Sequence, residues 1–475
     1  MTIFDLVRSI PRDVSPVQIA QGKRSLVKSV FRPLKAASPD WTPLTKHINR
    51  IRRFAFRASI SLDADILFSI SKYFSSMANC RNTPLFPNLC SLTTDFYINV
   101  ADDSWETWDC IPALSASGTL TELHLRLSSH IEVDRALYPL KPCLPYVFRT
   151  NPSLSQLSCS NLRGVTHGPL LDSEMIPLSQ LQEVYLWNCM ATFPFITALA
   201  LSTQLSILAV ELPMFGGPAG LSMEPSSSFE NLTVLRLIAK EDKPFADWMT
   251  FLQSIKSTKL TELELRCGRG WQDPETARAF FETLSRFHRL SKFSLCPDIA
   301  LPHSQATIHE GAFDFMEIVG PVLSLEDMVV FDIQGHFRLD IDAKHLSDIA
   351  SSWTRLKTLI LLPCITPVET SPSPRKPPLQ ALETFARYAP QLVDLRIVME
   401  SLNALEPMYV KALKEEMFDG RLEYLVVSLP DMWQLPSSSI VADFLHILYP
   451  ELTHAHFHDR VNNLAVMIPH QMHDV

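Results

Sequence analysis

The sequence predicts an α/β solenoid in which each turn contributes a short parallel strand to the concave face and a helix to the convex face. Three observations predict it. The motif apolar-x-x-apolar-x-apolar recurs along the chain, and from Leu89 to Leu452 it spans 363 residues in twelve steps of 24 to 36 residues. Its period-2 alternation places two apolar side chains on one side of a short strand. Between the motifs, apolar residues fall at helical spacing, so each step holds one strand and one helix. A chain of 475 residues would otherwise suggest about three globular domains. Units that bury their apolar faces only against neighbours absorb that length in one architecture.

Taken in order, residues 1–44 carry no motif and read as an N-terminal linker or cap. Residues 45–460 form a solenoid of about 14 irregular repeats, and residues 461–475 form a tail. Ile51-x-x-Phe54-x-Phe56 and Leu89-x-x-Leu92 open the series. Strong copies begin at Leu120, Leu181, Leu232, Leu260, Leu356 and Leu392, and weaker ones at Leu154, Leu205, Leu290, Leu325, Leu422 and Leu452. The stretch from Val184 to Val210 holds no charged residue. Trp187-Asn-Cys189, Pro194 and Ser202-Thr-Gln204 interrupt it, so it reads as two buried strands around a buried helix and not as a membrane span. Phe245, Trp248, Met249, Leu252 and Ile255 form one helical stripe behind Pro244. Asp273-Pro274 reads as a helix cap and first turn ahead of Ala277, Phe280, Phe281, Leu284 and Phe287. Leu379–Ala389 repeats the device. Pro367–Pro378 and Met223–Ser228 are expected loops.

This spacing and alternation are those of a leucine-rich repeat. Such repeats usually carry Asn or Cys three residues after the last strand leucine, and here only Cys189 and Cys364 occupy that place. An irregular turn ladder is therefore expected.

The segments Phe31-Arg-Pro-Leu34, Ser38-Pro-Asp-Trp41 and His47-Ile-Asn-Arg-Ile51-Arg-Arg-Phe54-Ala-Phe56 precede the irregular repeats. This arrangement resembles fungal, particularly mushroom-type, F-box and leucine-rich-repeat proteins over nearly the whole chain. The resemblance implies a substrate-recognition subunit of an SCF-type ubiquitin ligase, whose F-box binds a Skp-type adaptor and whose repeats hold the substrate. Residues 1–40 contain neither the family's Leu-Pro-x-Glu opening nor its closing Cys-x-x-Trp. Adaptor binding is thus expected only through a remnant such as Phe4–Ile10, and the alternative is a stand-alone scaffold or inhibitor with no ubiquitin role.

Composition excludes several other functions. Forty-two Lys+Arg against 51 Asp+Glu leave a net charge of −9, so no nucleic-acid or membrane partner bound through bulk charge is expected. Thirteen glycines, where about 33 would be average, disfavour phosphate-gripping loops. Nine cysteines, the nearest pair ten residues apart, show no metal-knuckle spacing and read as reduced thiols. The N-terminus lacks a signal-peptide pattern, which implies an intracellular protein, cytoplasmic or nuclear. No phosphate-loop, nucleophile-elbow or zincin motif occurs, and neither enzyme activity nor a cofactor is expected.

Candidate sites follow from strand parity. His454, His456 and His458 alternate along one strand, a weak metal candidate because the outer two are far apart for one ion. Glu262 and Glu264 read either as an acid/base pair or as solvated charges balanced by Arg266. The residues flanking core positions give the expected partner-binding face. Tyr185, Trp187, Ile207, Val234 and Ile238 form one apolar cluster, and Val329, Phe331, Ile360, Leu362 and Val398 form another. Arg126, Arg236, Arg266 and Arg396 lie between and beside them, and aromatic and arginine residues together are enriched in protein-binding hot spots.

Overall fold

The computed structural model describes residues 49–58, 86–96, 115–127, 140–161, 178–187, 189, 193–211, 229–239, 245–267, 273–297, 313–335, 339–363, 375–400, 405–429, 438–459 and 465–467. Two compact units divide it. The first comprises Met1–Pro213 with Ser226–Leu232, and the second Met214–Pro225 with Thr233–Val475.

The first unit holds β1 (Arg53–Ala58), β2 (Ser91–Phe96), β3 (Glu122–Leu127), α1 (Leu140–Thr150), β4 (Gln156–Ser160), β5 (Glu183–Trp187), α2 (Phe193–Ala200) and β6 (Ile207–Glu211). Its strands pair parallel in chain order, β1 to β6. The register stacks Phe54, Leu92, Leu123, Leu157, Val184 and Leu208 in one buried row. The charge-free stretch folds as β5, α2 and β6, as its interruptions predict. Phe195, Ile196 and Leu199 of α2 are buried, and no described helix is long and apolar enough to cross a membrane.

The second unit continues with β7 (Val234–Ala239), α3 (Phe245–Ser254), β8 (Glu262–Cys267), α4 (Pro274–Leu284), β9 (Lys292–Pro297), β10 (Phe313–Asp314), α5 (Phe315–Val319), β11 (Val330–Gly335) and β12 (Leu339–Asp340). There follow α6 (Ala343–Ser352), β13 (Thr358–Pro363), α7 (Leu382–Tyr388), β14 (Asp394–Val398), α8 (Pro407–Leu413), β15 (Tyr424–Leu429), α9 (Ser438–Leu448), β16 (His454–Asp459) and β17 (Ala465–Met467). Strands β7, β8, β9, β11, β13, β14, β15 and β16 pair parallel in that order. The two-residue strands β10 and β12 pair separately. β17 lies in the segment expected to be a tail and pairs antiparallel with β16. Every predicted motif thus yields one parallel strand, and the molecule is an α/β leucine-rich-repeat solenoid.

The helices form where the stripes predict them. On α4 the Asp273 carboxylate accepts the Thr276 N–H at 2.7 Å, Pro274 opens the helix, and Ala277, Phe280, Phe281 and Leu284 are buried. Trp248, Phe251 and Leu252 of α3 are likewise buried. On α6, Asp342 and His345 form a reciprocal capping box, which satisfies two N–H groups that the helix start leaves free.

Beside the sparse side-chain positions three residues past the strands, a backbone ladder ahead of the strands ties the repeats together. From β1 to β6 and from β7 to β16, the backbone N–H of the residue after the anchor, and the next N–H, both donate to the carbonyl of the matching residue one repeat earlier. Thr121 and Glu122 donate to Cys90 O at 2.8 and 3.0 Å, and Ser291 and Lys292 donate to Thr261 O, each at 3.0 Å. A hydroxyl often adds a third bond. Thr121 Oγ1 donates to Cys90 O at 3.0 Å, Ser206 Oγ to Gln182 O at 3.1 Å, Thr261 Oγ1 to Thr233 O at 3.1 Å and Thr453 Oγ1 to Glu423 O at 2.9 Å. One carbonyl accepts up to three donors, so the connections are satisfied without an asparagine ladder. Cys189 is buried and its Sγ–H donates to Trp187 O at 3.3 Å, while Cys364 lies outside the described residues.

One predicted register is wrong. The sequence places the anchor of the β11 repeat at Leu325, with core positions Met328 and Val330 and face positions Val329 and Phe331. In the structure Phe331 pairs with Phe293 and Leu359, and Ile333 with Leu295 and Leu361. The anchor is therefore Met328. Leu325 occupies the preceding turn, where its carbonyl accepts the Met328 N–H at 3.1 Å just as Trp353 accepts Leu356 at 3.0 Å. Phe331 has no exposure. It packs 5.6 Å from Phe293 and 4.6 Å from Trp353, ring centre to ring centre, and that aromatic contact outweighs any motif preference for leucine at the anchor.

Candidate functional site

Parallel pairing fixes three residues of each strand on the face away from the helices. In the first unit, Tyr185 and Trp187 of β5 and Ile207 of β6 are half-buried on that face. Tyr185 Oη donates to Glu183 Oε2 at 3.2 Å. Its register neighbours are Ser158 and the fully buried Ala209.

In the second unit the middle face position of each strand forms a registered row: Arg236, Glu264, Ser294, Asp332, Ile360, Arg396, Val426 and His456. At the β7 end a charge network covers the face. Arg236 Nη2 lies 2.7 Å from Glu262 Oε1, and its Nε 3.3 Å from Glu264 Oε2. Arg266 Nε approaches Glu264 Oε1 at 2.7 Å and Lys292 Nζ approaches Glu262 Oε2 at 3.8 Å. Each carboxylate is held between cations, the arrangement of a balanced, partly solvated face. Such exposed pairs stabilise by about 1 kcal/mol or less each. Val234 and Ile238 are half-buried beside them.

The centre of the row differs. Asp332 is only 8% exposed. Its Oδ2 accepts from Ser294 Oγ at 2.9 Å and from Cys296 Sγ at 3.5 Å, and its Oδ1 accepts from Gln334 Nε2 at 2.9 Å. Burial pushes this carboxyl above the usual carboxylate value, and burial likewise pushes the Cys296 thiol up to about 11. A thiol so raised stays protonated at neutral pH and is a poor nucleophile. Next in the row, Ile360 is 7% exposed, and Val398 of β14 also 7%. These two expected face residues form an apolar floor, with Leu362 half-buried beside them.

Towards β16 the face becomes aromatic. Arg396 donates from Nε and Nη2 to both oxygens of Asp394, at 3.0 and 2.9 Å, and stacks 5.0 Å over the Tyr424 ring. Those bonds raise its already high pKa, so its charge is permanent. His454 and His456 stack on one another with ring centres 6.4 Å apart and planes 12° apart, and Tyr424 lies 5.6 Å from His456. Stacked imidazoles present ring faces to one another, which does not converge their nitrogens on one ion. The side chain of His458 lies outside the described residues, among which no group of three potential ligands is assembled.

The structure thus keeps Tyr185, Trp187, Ile207, Val234, Arg236, Ile238, Arg266, Ile360, Leu362, Arg396 and Val398 at face positions. It moves Phe331 into the core, and Val329 into the connection before β11, where its N–H donates to Ser291 O at 2.7 Å. It adds face residues that the sequence reading passed over: Lys292, Asp332, Gln334, Asp394 and Tyr424. Strand parity already marks Lys292, Asp394 and Tyr424, and it marks Asp332 and Gln334 once the β11 register is correct.

No protein-family model and no curated protein matches this sequence. Among solved structures, an internalin from Listeria monocytogenes is similar at 12% identity, with 74% of this chain and 82% of that chain covered and a TM-score of 0.36.

Proposed function

We propose that this protein is a non-enzymatic recognition module that binds another protein through the strand faces of its repeats. The observation that carries this reading is the row in the second unit. There arginine, tyrosine, histidine and apolar side chains are presented on strands whose backbones are held in register on both sides. Side chains on such a scaffold lose little freedom on binding, which lowers the cost of association. The resemblance over residues 31–56 supports the more specific reading, a substrate-recognition subunit of an SCF-type ubiquitin ligase. The second reading is a scaffold or inhibitor outside the ubiquitin system.

Affinity purification of the tagged full chain beside the Trp187→Ala and Arg396→Ala variants tests recognition. Proteins recovered with the wild type and lost with either variant support it, and an identical set from all three refutes it. Mixing the purified chain with a purified Skp-type adaptor then separates the two versions. Co-elution supports the ligase reading, and separate elution leaves the scaffold.

A further inference from the structure

The centre of the second unit's strand face holds a carboxylate that no described residue balances with an ion pair. Asp332 is more than nine-tenths buried, and its hydrogen-bond donors, Ser294, Gln334 and Cys296, are all neutral. Among the described residues no lysine, arginine or histidine stands within ion-pair distance of it. The cation whose field reaches it is Arg396, and both oxygens of Asp394 already hold that guanidinium. A carboxylate withdrawn from water without a partner cation is costly, and here burial raises its pKa. An asparagine would accept from the same serine without carrying that cost. Keeping an aspartate here makes sense if a cation arrives from outside.

The surroundings define which cation. A carboxylate offers about four lone-pair sites. Three are occupied, two on Oδ2 and one on Oδ1, which leaves one on Oδ1. The register neighbour of Asp332 on β13 is Ile360, an apolar floor only 7% exposed, with the half-buried Leu362 two residues along the strand. A charged tip at Asp332 with an aliphatic stem along Ile360 and Leu362 is the shape of lysine or arginine, whose methylene stems cover apolar surface while the head finds its partner. Charge and apolar complementarity together therefore select a basic side chain over an acidic or a purely apolar one.

We propose that the strand face of the second unit recognises a basic segment of its protein partner and receives one lysine or arginine side chain at Asp332. This rests on the protein-recognition reading above. The test uses the full chain and its Asp332→Asn variant against pools of immobilised nonapeptides with random flanks and a fixed central residue, either Lys, Arg, norleucine, Gln or Glu. Wild type retains the Lys or Arg pool about tenfold better than the norleucine and Gln pools, the ratio expected for about 1.4 kcal/mol. Asp332→Asn reduces that preference to about twofold or less, with a melting temperature at or above that of wild type. A purely structural aspartate would instead lower the melting temperature and leave the preference unchanged. Should Asp332→Asn fail to fold, Ile360→Arg supplies the cation from within and abolishes the preference. Retention of pools with no basic preference, or a preference that survives both variants, overturns the Asp332 site and leaves protein recognition standing. Retention of none of the pools overturns the Asp332 site, and protein recognition then stands or falls on the affinity purification above.

Discussion

Truncating Asn151 measures what one buried amide contributes to a repeat connection. Asn151 follows α1 and has no exposure. The two hydrogens of its Nδ2 go to Ser115 O at 2.7 Å and Val147 O at 2.8 Å, with Thr150 Oγ1 also within reach at 3.0 Å. Its Oδ1 accepts from Gly118 N–H at 3.1 Å and, more weakly, from Leu120 N–H and Ser117 Oγ, both at 3.4 Å. In Asn151→Ala several of these partners stay satisfied: Val147 O keeps the Asn151 N–H at 3.0 Å, and Ser117 Oγ keeps Leu89 O at 3.1 Å. The Gly118 and Leu120 amides lose their acceptor, and Ser115 O loses a donor. An unsatisfied buried group costs about 1–3 kcal/mol and a lost bond about 1 kcal/mol, so the variant loses about 2–4 kcal/mol. Asn151→Asp loses at least as much at neutral pH, because its second oxygen would face the Ser115 and Val147 carbonyls where only a donor fits. Repeat proteins need not unfold in one step. The assay is therefore hydrogen exchange of residues 115–127 read beside denaturant unfolding. Unchanged exchange in that segment with a loss below about 0.5 kcal/mol, or an Asn151→Asp variant as stable as wild type, would refute the reasoning.

Three further outcomes are expected. Phe331→Ala destabilises by about 3–5 kcal/mol, as core Phe truncations do, whereas Val330→Ala, on the opposite side of the strand, costs about 1 kcal/mol or less; denaturant midpoints that reverse this order would restore the sequence-predicted register. Gly420→Ala places a Cβ 2.7 Å from Leu448 O and 2.6 Å from the Tyr449 ring. The carbonyl belongs to the backbone and the ring is fixed by its hydroxyl donating to Leu382 O at 2.6 Å, so overpacking costs about 1–3 kcal/mol, and a wild-type melting temperature would exclude it. Finally, burial raises the Asp332 carboxyl above its ordinary 3.8, so the folded state binds the proton more tightly than the unfolded chain. The resulting stability is present below the ordinary value and is lost as pH rises through the raised one. Asp332→Asn, which does not ionise, therefore gains on wild type as pH rises from about 4, and melting curves between about pH 4 and 8 with a constant or shrinking gap would contradict this.

The legible part of this fold and the hidden part have one physical origin. Leucines such as Leu123, Leu263 and Leu395 are visible because each must be buried against the same position of two neighbours, so chemistry repeats wherever geometry does. The hydroxyl ladder is written as openly, in Leu120-Thr121, Leu154-Ser155, Leu205-Ser206, Leu260-Thr261, Leu290-Ser291 and Leu452-Thr453. It is easily missed because a reader looks for asparagine after the strand, while the fold satisfies its turns before it. The site is harder to see because face residues are not required to repeat, and only the register says which they are. In the β11 repeat Leu325 and Met328 both fit the anchor, and local sequence does not separate them. The packing of Phe331 against Phe293 and Trp353 does, and those partners lie 38 and 22 residues away along the chain. The two readings differ by three residues. Because strand side chains alternate, an odd slip exchanges the two sides of the strand. One misread anchor therefore put a core phenylalanine on the binding face and gave Asp332 the parity of a buried position, so the residue with the most unbalanced charge on that face became visible only when the aromatic core fixed the register.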